Sequence, residues 1–200
     1  MRQDLPTVVP ARPAAPGRVP GRAGGPAQAS GLPGQALRTI AMIGNHTPRQ
    51  CGIATFTTDL SEALGVAFPG LDCFVLAMND AGRRHAYPGR VRFEINEGDV
   101  QSYRRAADFL NVNTVDLVCV QHEYGIFGGP SGSHLLLALR RLRMPVVTTL
   151  HTVLKEPTDQ QRQVLVELGR LSNRLVVMSE LSAGLLTEVY GFPAEKVEVA

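Results

Sequence analysis

The sequence predicts a doubly wound, Rossmann-like α/β domain built on a parallel sheet. Three observations carry this. Short apolar runs recur along the chain and are continuous rather than alternating, as strands buried on both faces require. Amphipathic stretches at helical spacing lie between them. The segments following the apolar runs collect glycine, histidine and other polar residues. Two hundred residues, 44% of them hydrophobic, supply one such domain and a tail.

Residues 1–36 are rich in Pro, Gly, Ala and Arg and show no periodicity. Such a segment cannot bury enough apolar surface to offset its ordering entropy, so it is expected to be a disordered tail. Residues 37–200 are expected to form the folded domain. Formal charge is +2 overall. Arg2, Arg12, Arg18, Arg22 and Arg38 against Asp4 give the first 38 residues roughly +4, leaving about −2 for the rest. A nucleic-acid-binding domain would carry its basic surface on the folded part, so no nucleic-acid partner is expected. A tail that touches anionic lipid or RNA is the functional alternative to a bland one.

The folded part opens with the apolar run Ile40–Ile43, a polar segment Gly44–Gly52, and a helix with Ile53, Phe56, Leu60 and Leu64 at inward spacing. Leu71–Met78 reads as the second strand, Asn79–Gly89 as a loop and Val91–Ile95 as the third strand. Asp99 reads as the N-cap of a helix to Asn111. Asp116–Gln121 is the next strand, followed by a glycine-rich loop and a helix capped by Ser131 or Ser133 that carries Leu135, Leu136, Leu139 and Leu142 inward. Pro145–Leu150 is a strand, Thr158 caps a helix to Leu171, Arg174–Met178 is a strand, and Ser179 opens a helix to Tyr190. Val197–Ala200 begins a further strand.

The three cysteines, Cys51, Cys73 and Cys119, form no CxxC pair. Two of them lie in apolar runs, where a free thiol packs as a small hydrophobe. A reducing cytoplasm is the expected compartment. No apolar run is long enough to span a bilayer. The N-terminal arginines have no apolar stretch behind them, so a signal peptide is not expected.

In an open parallel sheet, ligands bind outside the carboxyl ends of the strands. His46, His122 and His151, and less directly His85, fall in such places, and their convergence on one rim is the functional signal. The first loop lacks the GxGxxG fingerprint of a dinucleotide site. Gly52, directly before the helix, lets a phosphate approach backbone N–H groups at the positive helix end, or merely fits a tight turn. Arg49 would add a charge-assisted contact, or is a solvated surface residue. The loop Gln121–Gly129 (QHEYGIFGG) offers two exposed-looking aromatics beside His122 and Glu123, a platform suited to a sugar ring. The competing reading is a loop packed for structural reasons. Cys51, His122, Glu123 and His151 lack zinc-ligand spacing, and Gly129–Gly132 is no G-x-S-x-G elbow. Glu180 and Glu188, with seven residues between them, share a helix side and read as a solvated face.

The loop PRQCGIATF (Pro48–Phe56), QHEYGIFGG, VVTTLHT (Val146–Thr152), VVMSE (Val176–Glu180) and YGFPAEKVEV (Tyr190–Val199), in this order, resemble the N-terminal half of a GT-B-type, family 4 glycosyltransferase. The likeness covers Arg38 to Ala200. It implies an acceptor-side domain facing a donor-binding Rossmann-like domain, with retaining sugar transfer, no metal and no cofactor beyond the nucleotide-sugar co-substrate. It implies a carbohydrate or lipid-linked acceptor and work in the cytoplasm, at the inner face of the membrane where the acceptor is lipid-linked. It matches Gly52 to the donor diphosphate and His151 to the transferred sugar. Arg49, His122, Glu123, Tyr124 and Ser179 are the expected acceptor or substrate rim, and no catalytic residue is assigned. The family's paired glutamates belong to its second domain, so Glu180 and Glu188 do not inherit that role. Residues 1–200 alone are expected to be inactive. The alternatives are a non-catalytic module binding a sugar or a partner domain, a nicotinamide-dependent oxidoreductase without the required fingerprint, and a flavodoxin-like regulator without an acidic cluster after its first strand.

Overall fold

A computed structural model describes residues 37–80, 82 and 85–200. The tail expected over 1–36 lies outside the described residues. The elements are β1 (Thr39–Gly44), α1 (Gly52–Ala67), β2 (Asp72–Asn79), β3 (Val91–Asn96), α2 (Val100–Val112), β4 (Leu117–His122), α3 (Leu135–Leu139), β5 (Val146–Leu150), α4 (Asp159–Leu171), β6 (Arg174–Val177), α5 (Glu180–Glu188) and β7 (Val197–Val199). All seven strands pair in parallel in the order β3-β2-β1-β4-β5-β6-β7.

The chain starts in the middle of the sheet, builds outward to β3, and is carried back by α2 to β4, from which it builds to β7. Right-handed crossovers therefore put α1 on one face and α2 to α5 on the other. Burial follows the period of two. Ala41, Ile43, Phe74, Leu76, Val118 and Val120 join the large core under α2–α5. Met42, Cys73 and Val75 form a smaller core with Leu60 and Leu64 of α1, and Cys119 packs against it.

The helices begin where capping chemistry allows. Asp99 accepts from the Gln101 N–H, and Thr158 forms a full capping box with Gln161. At α1 a thiol does this work: Cys51 Sγ accepts from the Ala54 N–H at 3.3 Å. Two expectations fail. Neither Ser131 nor Ser133 caps α3, which starts after His134 without a side-chain cap. The chain there makes a 3-10 turn, Pro130–Gly132, with Ser131 at φ 52° and Gly129 and Gly132 near +77°. In α1 the fully buried stripe is Ala54, Thr57 and Ser61, small residues that let the helix sit close on the sheet. Ile53, Phe56, Leu60 and Leu64 flank that stripe and are only half-buried.

Candidate functional site

Strand order reverses between β1 and β4, and the crevice outside their carboxyl ends is where an open α/β sheet takes a ligand. The loop Gly44–Cys51, the start of α1 and the ends of β4 and β5 together form one wall of it.

Alternation along β4 decides which of its polar residues face the crevice. Val118, Val120 and His122 point to the α2–α5 side, and Cys119, Gln121 and Glu123 point to the α1 side. His122 is accordingly fully buried, stacked on Phe127 (5.9 Å, 17°) with Tyr124 edge-on (5.1 Å, 79°). Among the described residues, neither of its ring nitrogens has a hydrogen-bond partner. Burial, with His151 nearby, pushes its pKa down to about 3, so the ring is neutral. His122 therefore lies beneath the rim rather than on it.

On the α1 side the side chains meet in two rungs between β4 and the end of β5. Gln121 Oε1 lies 3.0 Å from His151 Nε2, and Thr152 Oγ1 donates to Glu123 Oε2. Glu123 Oε1 also accepts from the Tyr124 N–H. The Phe56 ring meets His151 edge-on at 4.8 Å. Gly52 lies four residues before Phe56, one turn back on the same helix face. Thus Gly52, Phe56, His151, Gln121 and Glu123 follow one another along a continuous wall. Burial pushes the His151 pKa down, against the opposing pull of Glu123.

The helix end itself is open. Ala54 N–H goes to Cys51 Sγ and Thr55 N–H to Cys51 O. Among the described residues, the N–H groups of Gly52 and Ile53 have no acceptor, and a Cβ on residue 52 would meet nothing within 4 Å. That is the space a phosphate oxygen needs at the positive end of a sixteen-residue helix.

Other expected rim residues are engaged elsewhere. Arg49 is paired with Asp80 at 2.6 Å and donates to Asn45 Oδ1 at 3.0 Å. This guanidinium ties the first loop to the end of β2. Ser179 is exposed and caps α5, its hydroxyl accepting from the Ser182 N–H. Tyr124 is half-buried with its hydroxyl inside, and Phe127 and Ile126 belong to the core. The expected exposed aromatic platform is therefore not formed, because the loop folds inward on these two apolar side chains. His46 is also buried, its Nδ1 2.7 Å from the Thr47 carbonyl oxygen. Among the described residues no three His, Cys, Asp or Glu side chains gather as a metal-ligand set, and no helix is long and apolar enough to cross a membrane.

Gln121 and Phe56 were not among the expected site residues. Gln121 was findable, since period two from Cys119 places it with Glu123. The Asp80 pairing spans two loops and left no local signal.

Comparison with known proteins gives three results. The sequence model of Glycosyltransferase Family 4 matches residues 51–200. No curated protein matches. Among solved structures, the apo form of the lipopolysaccharide outer core galactosyltransferase WaaB superposes with a TM-score of 0.57 at 12% identity, over 80% of this chain and 44% of that one. The S. aureus MnaA–UDP co-structure gives 0.58 at 16% identity, over 82% and 44%. At these identities the likeness is one of fold, and the chain spans less than half the length of either structure.

Proposed function

The chain belongs to glycosyltransferase family 4, its sheet being the N-terminal half of a GT-B fold, and from that premise we propose that it is the acceptor-side half of a retaining sugar transferase. The donor is a nucleotide-sugar and the acceptor a carbohydrate or a lipid-linked molecule. A second Rossmann-like domain holds most of the donor. The work takes place in the cytoplasm, at the inner face of the membrane when the acceptor is lipid-linked.

The observation that carries this reading is the open end of α1, one helical turn from a ring that touches His151. As the bond between the sugar and the diphosphate breaks, negative charge grows on the leaving oxygens. The free N–H groups of Gly52 and Ile53, at the positive helix end, lie where that charge is stabilised. His151 borders the transferred sugar. Glu123 and Thr152 bound the acceptor side. Arg49, already paired with Asp80, holds the first loop in shape.

The test is Gly52→Val in a version of the protein that carries the donor-binding domain. A side chain there meets no neighbour, so the melting temperature should stay within about 2 °C. Transfer should fall by about a hundredfold or more, because the side chain blocks the diphosphate. Unchanged transfer would rule the loop out.

A second reading, a non-catalytic module that docks another domain, draws on one observation. Met178, Leu181 and Val199 are 43%, 75% and 41% exposed around the ends of β6 and β7. Gel filtration with and without a donor-binding half, alongside the transfer assay, separates docking alone from docking with activity.

A further inference from the structure

We propose that Gln121 is a positioning residue: it fixes His151 in the tautomer protonated at Nε2 and so leaves Nδ1 to accept a hydrogen bond from a substrate hydroxyl. The tautomer follows from the orientation of the Gln121 amide, whose carbonyl oxygen is turned toward the ring. The substrate clause rests on the sugar-transfer reading.

Gln121 is fully buried at the end of β4, on the α1 side of the sheet. Its stem is held by close packing, since a Cβ on Gly44 would come within 3.0 Å of Gln121 Cβ and 3.2 Å of Thr57 Oγ1. Its carbonyl oxygen faces His151 Nε2 at 3.0 Å. A carbonyl only accepts, so that ring nitrogen must carry the proton. Among the described residues the Gln121 amide nitrogen has no partner, and the histidine is the one polar group this side chain engages. Phe56, edge-on at 85°, fixes the plane of the ring.

The second ring nitrogen, Nδ1, makes no hydrogen bond among the described residues and is not one of the buried unpartnered atoms. It is presented at the wall of the crevice as a lone pair. Burial favours the neutral ring, against the pull of Glu123. Glu123 of the β4 end has its carboxylate occupied by Thr152 Oγ1 and the Tyr124 N–H. His122 lies on the opposite sheet face and is itself neutral. From α1 the contact is the apolar Phe56.

A lone pair accepts from a hydroxyl and repels a phosphate oxygen. The arrangement thus divides the wall: the diphosphate goes to the end of α1 and a sugar hydroxyl to His151. A carboxylate in place of the Gln121 amide would defeat this by drawing the ring into its protonated form, which has no acceptor.

The experiment is a long-range proton–nitrogen correlation spectrum of the 200-residue chain labelled with ¹⁵N-histidine, with His151 assigned by its loss in His151→Phe. At pH 7.5 the expected pattern is protonated Nε2 and unprotonated Nδ1. Gln121→Met keeps the chain length and removes the carbonyl, so the two nitrogen shifts should converge toward a tautomer mixture. Gln121→Glu should raise the His151 pKa by about one unit or more. An Nδ1–H signature in the wild-type chain overturns the proposal, as does an unchanged tautomer in Gln121→Met. If the variants do not fold, the wild-type spectrum still decides. With the donor-binding domain attached, discrimination between a nucleotide-sugar and its deoxy analogues should shrink about tenfold in Gln121→Met. Undiminished discrimination overturns the hydroxyl contact. Absence of any transfer by the wild type overturns the sugar-transfer reading and leaves the spectroscopic result standing.

Discussion

His122 takes two ring nitrogens into the core and, among the described residues, finds a partner for neither. Its neighbours are flat and apolar, Phe127 on one face and Tyr124 at the edge. Such a site accepts the neutral ring and rejects the charged one. Unfolded, the imidazole takes up its proton near pH 6.5. Folded, it does so only near pH 3. Between those values the unfolded chain binds the extra proton, so the contribution is fully present above about pH 6.5 and is lost as pH falls through the window. The slope from this one group is about 1.4 kcal/mol per pH unit at most. His151, also pushed down by burial, acts in the same direction. Denaturant titrations at pH 4.5, 5.5 and 7 should show His122→Phe, which keeps the aromatic stack, losing less stability toward acid than the wild type. Parallel pH profiles would contradict this account of the residue.

The segment after β4 shows how an element is fixed by partners distant in sequence. A Cβ on Gly128 would sit 1.7 Å from the Glu97 carbonyl oxygen and 2.8 Å from His134 Nδ1. The Gly128 N–H donates to the Tyr103 hydroxyl at 2.9 Å, and that hydroxyl donates to the Glu97 carbonyl. Gly128→Ala should therefore cost about 2–4 kcal/mol in a denaturant titration, because a backbone carbonyl cannot step aside as a side chain would. Stability within about 0.5 kcal/mol of wild type would show that the loop can shift freely. Periodicity in the sequence located every strand and the caps at Asp99, Thr158 and Ser179, because those signals are local. It could not show that QHEYGIFGG folds inward, since the groups that hold it come from α2 and the loop before it. In α1 the large side chains were expected inward, but a helix resting closely on a parallel sheet buries its small ones. That displacement brings Phe56 to His151. Of the candidate site, His151 and Glu123 could be named from their places after strands, and Gly52 from its place at the start of the helix. His122 was expected on the rim, but β4 runs one residue further than its apolar run and period two turns the ring to the α2–α5 side.

At the scale of the whole molecule, the sheet order places the crevice between β1 and β4 and furnishes one of its walls. The described residues give that wall an open helix end and a neutral histidine. The cation nearest the helix end by sequence, Arg49, is already neutralised by Asp80. A leaving diphosphate needs more opposing charge than two N–H groups provide, for oxyanion-type stabilisation is the largest electrostatic contribution to such a step. On this ground the 200-residue chain is expected to unfold cooperatively as a domain of its own, yet to transfer no sugar. Adding a donor-binding half, covalently or in trans, should restore transfer. The assay is incubation of the isolated chain with a panel of nucleotide-sugars and acceptors, read by release of the nucleoside diphosphate and by mass of the product. Robust transfer by the isolated chain would mean that this wall holds enough charge-stabilising groups by itself, and the division of labour between two domains would have to be abandoned.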